Sequence, residues 1–281
     1  MSKFSDLAEL LAKSNGPLGA VGQVAMGSAF RPVDRPPHEW FEAVHDPEYY
    51  RGFLEGTLDD KAMRRIGLPY SESLVDRTLL EVSGTVLAAR LALKFGLACN
   101  LAGGTHHAHK HFGSGYTILN DLAVASRVVQ ADGMAKKVAV TIVDCDVHQG
   151  DGTATIFKDD PSVRTISFHC ADNFPANKPA SDIDIAFPAG AGDEHLLNEL
   201  RRALPKEFVQ HPPDLVLYDA GVDMHAGDQL GKMLISDEGL LGRDYYVIST
   251  CLQMGSAGGV RGRGGLRQRQ RCAGSQTLHG L

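Results

Sequence analysis

Val143-Asp144-Cys145-Asp146-Val147-His148-Gln149-Gly150-Asp151-Gly152-Thr153 sets three carboxylates and an imidazole just past the apolar run Lys137 to Val143, which reads as a buried strand. Side chains alternate along an extended chain, so Asp144, Asp146 and His148 fall on one side and Cys145 on the other. A cation could then take carboxylate oxygens and an imidazole nitrogen from neighbouring positions. Acidic loops at strand ends are also common as plain structure, so this segment alone leaves both readings open. Cys145 reads as a small buried apolar residue.

Two further segments favour the chemical reading. Gly103-Gly104-Thr105-His106-His107-Ala108 places vicinal histidines after two glycines, which let backbone approach a ligand closely. Ala220-Gly221-Val222-Asp223-Met224-His225-Ala226-Gly227-Asp228 follows the apolar strand candidate Leu215-Val216-Leu217-Tyr218 and offers another carboxylate at a strand's C-terminal end. Open parallel sheets bind ligands at that end.

Outward from these segments, strand-like and helix-like runs alternate, the pattern of a parallel sheet with helices on both faces. Ser71 to Phe95 is the clearest helix, with cap candidates at Ser71 and Ser73 and a stop at Gly96. A second helix runs over Asn120 to Ala131, and a third from about Asp193 to Val209. Arg164 to Phe168 and Ile183 to Phe187 read as strands, and Met1 to Lys13 has helical spacing unlike a signal or transit peptide.

The 281 residues, 43% hydrophobic, suffice for one large α/β domain. A net charge of −6 gives no overall basic footprint for nucleic acid, and no window holds the roughly 18 apolar residues of a membrane span. Five cysteines without a CxxC pair suit a reducing cytosol. The expected location is cytoplasmic. The oligomeric state is not readable.

Taken together, the three segments resemble the histone deacetylase superfamily of metal-dependent amidohydrolases, closest to its class IV and bacterial deacetylase-like members. Gly115-Tyr116-Thr117-Ile118-Leu119-Asn120-Asp121 is similar to that family's Gly-Phe-x-x-x-Asn-Asp, and Ser167-Phe168-His169 followed by Asn173-Phe174-Pro175 also fits. The resemblance runs from about Met1 to about Met254. It implies the arginase/deacetylase fold, an α/β architecture on a central, mostly parallel eight-stranded sheet with helices on both faces.

By that resemblance Asp146, His148 and Asp223 are the metal ligands, leaving positions open for water and substrate. Zn2+ is the default ion, and the oxygen-rich set also suits Fe2+ or Co2+. His107 is the general base and acid and His106 its electrostatic partner, with Asp144 and Asp151 fixing the two imidazoles. Backbone carbonyls of the 144–148 segment (Asp144, Asp146, His148), together with Ser167 and Phe168, match a K+ site. Gly115, Tyr116 and Phe174 match the substrate tunnel, with Tyr116 in place of the commoner Phe. The implied substrate is acyl-lysine in a protein, or a related acylated amine, with no membrane partner.

Other conspicuous residues read as structure. His109 and His111 look like members of an exposed loop, His225 like a solvated histidine, and Trp40, Tyr49 and Tyr50 like packing at the sheet edge.

Both ends depart from the family. The first strand and loop that normally precede a segment like Ser2-Lys3-Phe4 are missing, so Met1 reads as an internal methionine of a longer ancestor. The family's Gly-Gly-Gly-Tyr turn, whose tyrosine stabilises the oxyanion, is expected shortly after Met254, yet no tyrosine follows Tyr246. From Gly255 the chain turns Arg/Gly-rich, with no acidic residue after Asp244. Codons exist for Arg263 to Gln270 that spell Gly-Gly-Gly-Tyr-Asp-Asn-Asp when read one base later, which suggests a frameshift. Residues 1–254 are then the deacetylase-like domain and 255–281 an aberrant tail, expected to be disordered. A rival reading makes the tail a nucleic-acid contact, as RGG-like segments can be. Two main function classes remain: a metal-dependent deacylase, and a catalytically impaired relative that binds metal or acyl-lysine.

Overall fold

A computed structural model describes residues 35–132 and 138–254, and the backbone of 271–275. The expected helix over Met1 to Lys13 and the segment Arg263 to Gln270 lie outside the described residues.

Ser71 opens the longest helix by accepting the Leu74 N–H at 3.1 Å, which satisfies one of the donors a helix start leaves free. In chain order the elements are α1 (Glu39–Glu42), α2 (Pro47–Glu55), α3 (Asp60–Ile66), α4 (Glu72–Phe95), β1 (Leu97–Asn100), α5 (Asp121–Asp132), β2 (Val140–Asp144), α6 (Asp151–Phe157), β3 (Val163–Cys170), β4 (Ile183–Phe187), α7 (Asp193–Gln210), β5 (Leu215–Asp219), α8 (Asp237–Met254) and β6 (Arg271–Ser275). Among the described residues the sheet has six strands in the order β1-β6-β5-β2-β3-β4, every neighbouring pair parallel. The resemblance implied eight.

Alternation along β2 and β5 splits the core in two. Val140, Ile142, Leu215 and Leu217 face one layer, built from α1, α2, α4 and α5. Val143, Val216 and Tyr218 face the other, with Leu196, Leu200 and Phe208 of α7 and Val247 and Cys251 of α8. Both strands are buried throughout, so they read as unbroken apolar runs rather than as alternating ones. Among the described residues no helix is long and apolar enough to cross a membrane. Tyr49 and Tyr50 are buried in the first layer with Trp40 against it, so these rings pack among helices rather than at a sheet edge.

The tail after Met254, expected to be disordered or poorly packed, contributes one strand to the sheet. Arg271–Ser275 runs between β1 and β5, with Cys272 opposite Leu97 and Arg271 opposite Leu215. Each flanking strand presents N–H and C=O groups that need partners. Backbone supplies those partners whatever the side chains, so a segment without apolar periodicity can still fill the slot.

Candidate active site

At the C-terminal end of β2 the alternation continues into the loop. Val143, Cys145 and Val147 point into the core, while Asp144, Asp146 and His148 point the other way. The β5 loop brings Asp223 to meet them, and ligand-type atoms of Asp146, His148 and Asp223 lie within 4.8 Å of one another. Gly221 permits this approach, because a Cβ there would come within 2.7 Å of the Asp146 backbone. One oxygen of each carboxylate is held by the β2 loop: Val147 N–H donates to Asp223 Oδ1 at 2.9 Å and His148 N–H to Asp146 Oδ1 at 2.8 Å. His148 Nδ1 sits 2.9 Å from Asp146 Oδ1 and 3.0 Å from Asp223 Oδ2.

The electrostatics favour positive charge at this point, whether proton or cation. Burial, then the charge of Asp146, pushes the Asp223 carboxyl above its ordinary range. Burial disfavours a charged His148, yet its bonds to Asp146 and Asp223 raise it above an ordinary histidine. Two buried carboxylates and one imidazole facing a common point are the donor set of an open divalent site, and these residues fit one.

Arg243 of α8 clamps the two loops from behind. Fully buried, it donates to Cys145 O at 3.0 Å and also to Gly221 O, while its Nε reaches Asp244 Oδ1 at 2.9 Å.

The vicinal histidines lie beside this cluster. His106 Nδ1 is 2.7 Å from Asp144 Oδ2, and its ring also lies 3.8 Å from Asp146 and 3.9 Å from Asp219. Burial opposes its charge, but Asp144 and Asp146 outweigh it and the ring is raised well above the usual value. His107 Nδ1 is 2.7 Å from Asp151 Oδ1. Burial, then the neighbouring His106, lowers this ring to about 4 despite Asp151. Phe174 stands edge-on to His107 with centroids 4.8 Å apart, and Gly115 packs so closely that a Cβ would lie 2.6 Å from the His107 ring. The Tyr116 side chain, largely exposed, lies against Gly67 instead.

The Asn120-Asp121 pair explains itself as scaffolding. Asp121 accepts from Gly104 N–H at 3.1 Å and Thr105 N–H at 2.8 Å, and Asn120 Nδ2 donates to Ala108 O at 3.1 Å, so the loop carrying both histidines hangs on the start of α5. Ser167 on β3 lies opposite Asp144 in register, with Phe168 next to it in the core.

Two expectations about bystanders change. His109 is not an exposed loop residue: its Nε2 lies 3.1 Å from Asp151 Oδ2 and its side chain is 14% exposed. Its place two residues after His107 was the signal in the sequence. His111 does remain exposed, 3.6 Å from Asp46. His225 is partly covered and lies 3.3 Å from Asp237. Sequence reasoning missed Arg243, Asp219 and His45. The first lies on a distant helix, and the other two looked like any buried or loop polar residue.

Residues 3–278 match the histone deacetylase domain family. An uncharacterized protein of Picosynechococcus sp. is 54% identical over 220 residues, covering 78% of this chain and 73% of that one. Histone deacetylase 2 of Arabidopsis thaliana is 32% identical over 171 residues, covering 59% of this chain and 43% of the plant protein, so less than half of the latter is spanned. A crystal structure of an HDAC homolog from Aquifex aeolicus superposes with a TM-score of 0.69 at 21% identity, over 87% of this chain and 67% of that one, a likeness of fold.

Proposed function

This chain belongs to the histone deacetylase domain family, and on that premise we propose that it hydrolyses acyl groups from lysine side chains or related acylated amines. The observation that carries this reading is the pairing of a three-ligand acidic cluster with two adjacent imidazoles of opposite protonation tendency.

Asp146, His148 and Asp223 would hold the ion, taken here as Zn2+, with Fe2+ or Co2+ as alternatives. The ion, when bound, would polarise an amide carbonyl and acidify water beside it. His107 supplies the proton traffic. Its Nδ1 is committed to Asp151, so Nε2 is the atom that accepts a proton from the attacking water and later delivers one to the leaving amine. A ring lowered to about 4 is neutral near pH 7 and therefore ready to accept. His106, held charged by Asp144, adds positive potential where negative charge develops. Phe174 and Gly115 would wall the acyl channel, with Tyr116 farther out, and Asp144, Asp146, His148, Ser167 and Phe168 would surround a K+ ion. A cytoplasmic location would suit a sequence with five cysteines and no CxxC pair.

A second reading, an impaired relative, is favoured by one observation: residues 255–281, where the family's turn is expected, hold no tyrosine. Loss of one oxyanion donor costs about a hundred- to a thousandfold in rate. Hydrolysis of an acetyl-lysine peptide by the zinc-loaded chain, with and without the frame recoded from Gly255, tests both. Acceleration in that range on recoding supports a frameshifted deacylase. Equal rates would sink the frameshift account, and no hydrolysis by either would sink the deacylase.

A further inference from the structure

Behind His107 stands a second histidine that the proposed chemistry leaves without a task. Asp151 accepts from His107 Nδ1 on Oδ1 at 2.7 Å, and its other oxygen lies 3.1 Å from His109 Nε2. His109 Nδ1 in turn lies 2.7 Å from the Thr155 hydroxyl. Beyond it opens a cavity of about 350 Å³ lined by His109, Thr155, Lys110, His111, Glu42 and Arg127. A row of bonded groups thus runs from the reaction side of His107 to a solvent-facing recess.

The His109 ring is held from several directions. Its backbone N–H donates to Phe112 O at 2.9 Å, and its carbonyl accepts from His45 Nδ1 at 3.0 Å. Burial lowers His45 to about 4, so that ring is neutral near pH 7, and its Nε2 accepts the Asn120 N–H at 3.0 Å, which leaves the proton on Nδ1. The imidazole stacks on Phe112 with centroids 4.3 Å apart, and Arg65 lies over the Phe112 ring at 4.4 Å. A solvated loop histidine needs none of this.

Hydrogen placement follows from the partners. A carboxylate only accepts, so the nitrogen facing Asp151 must carry the proton. Nδ1 is then left to accept, and Thr155 is the donor at hand. That hydroxyl has one proton and three acceptors in reach, Asp151 O at 3.0 Å, Gly152 O at 2.9 Å and His109 Nδ1 at 2.7 Å, of which the last is nearest. Two N–H donors, one on each oxygen, stop the carboxylate from rotating. Burial works against the Asp151 charge, yet its bonds to His107 and His109 hold it well below the usual carboxylate range.

We propose that His109 is a positioning residue for His107: it anchors the far oxygen of Asp151, and Thr155 sets its tautomer, so that His107 keeps its proton on Nδ1 and presents Nε2 to the substrate. The inference rests on the reading of His107 as proton carrier.

The test uses four variants of the full chain. His109→Phe keeps the stack on Phe112 and removes the donor, whereas His109→Gln returns an N–H. Thr155→Val removes the hydroxyl and Thr155→Ser keeps it. The first readout, exchange of the His107 Nδ1–H with water by ¹H–¹⁵N NMR, requires no turnover. Exchange should accelerate about tenfold or more in His109→Phe and stay within about twofold of the parent in His109→Gln, the scale by which outer partners of an imidazole act. Thr155→Val should shift it in the same sense and Thr155→Ser should not. With an acetyl-lysine peptide, kcat should fall about tenfold in His109→Phe with KM within about twofold, and recover in His109→Gln. Unchanged exchange in His109→Phe, or equal acceleration in His109→Gln, would overturn the proposal. If His109→Phe does not fold, the Thr155 pair decides by the same criterion. A parent chain without turnover would defeat the proposed function, while the exchange measurement would still decide the role of His109.

Discussion

His106 and His107 are identical residues, adjacent in the chain, with ring centroids 4.1 Å apart, yet they are driven in opposite directions. His106 lies among three carboxylates, Asp144 at 2.7 Å and Asp146 and Asp219 at 3.8 and 3.9 Å, whose summed field overcomes burial. His107 has Asp151 alone within bonding distance, shared with His109, and burial together with the charge next door prevails. Protonation in this site is therefore set by how many carboxylates converge on each ring. Neither ring carries that information in its own sequence position.

The largest effect should come from removing what organises both rings' surroundings. Asp223→Ala, and more so Asp146→Ala/Asp223→Ala, should abolish stoichiometric divalent metal as measured by elemental analysis. A double variant that kept its ion would show that the acidic cluster is not the site. Next, His107→Ala should cost at least about a hundredfold in acyl-lysine hydrolysis, the usual contribution of general acid–base catalysis. A rate near the parent's would leave the two histidines without distinct roles.

The comparison is sharpened by editing one carboxylate at a time. Asp151→Asn should lower kcat about 10–100-fold and expose the His107 Nδ1–H to exchange without altering that of His106. Asp144→Asn should do the reverse in the NMR spectrum. If either variant perturbed both rings alike, the independence of the two pairs would fail.

The last effect, on stability rather than on catalysis, concerns a third buried imidazole that bonds no carboxylate. Burial lowers His45 from 6.5 to about 4, against the opposing bonds to the His109 and Lys110 backbone. Between those values the unfolded chain binds the proton and the folded chain does not. Its contribution is therefore complete above about pH 6.5 and is lost as pH falls toward 4, at most about 3 kcal/mol over the window. Urea midpoints across that range should decline, and His45→Gln should flatten the slope. An equally steep decline in the variant would place the titration elsewhere.

Much of this site could be read from local spacing. Asp144, Asp146 and His148 share a side because strands alternate, and Cys145 is buried for the same reason. The helix from Glu72 announced itself through Ser71 and its apolar recurrence, and Ile183–Phe187 was expected with the bounds it has. Arg243 could not be found that way, because its partners Cys145 and Gly221 are far away in the chain and meet it only when α8 packs against β2 and β5. His109 was visible as a residue, but its burial depends on Phe112, His45 and Thr155 closing around it. Arg271–Ser275 was set aside on side-chain character, whereas its place between β1 and β5 rests on backbone pairing, which composition does not encode.

The sequence by itself determined which groups stand at the strand ends and which side of each strand they take, because backbone periodicity is a local property. Only the tertiary structure decided which carboxylate meets which imidazole, and hence which ring is charged and which is neutral. Those outcomes depend on distances between residues that the chain keeps far apart, and electrostatic interaction in a buried site varies steeply with distance.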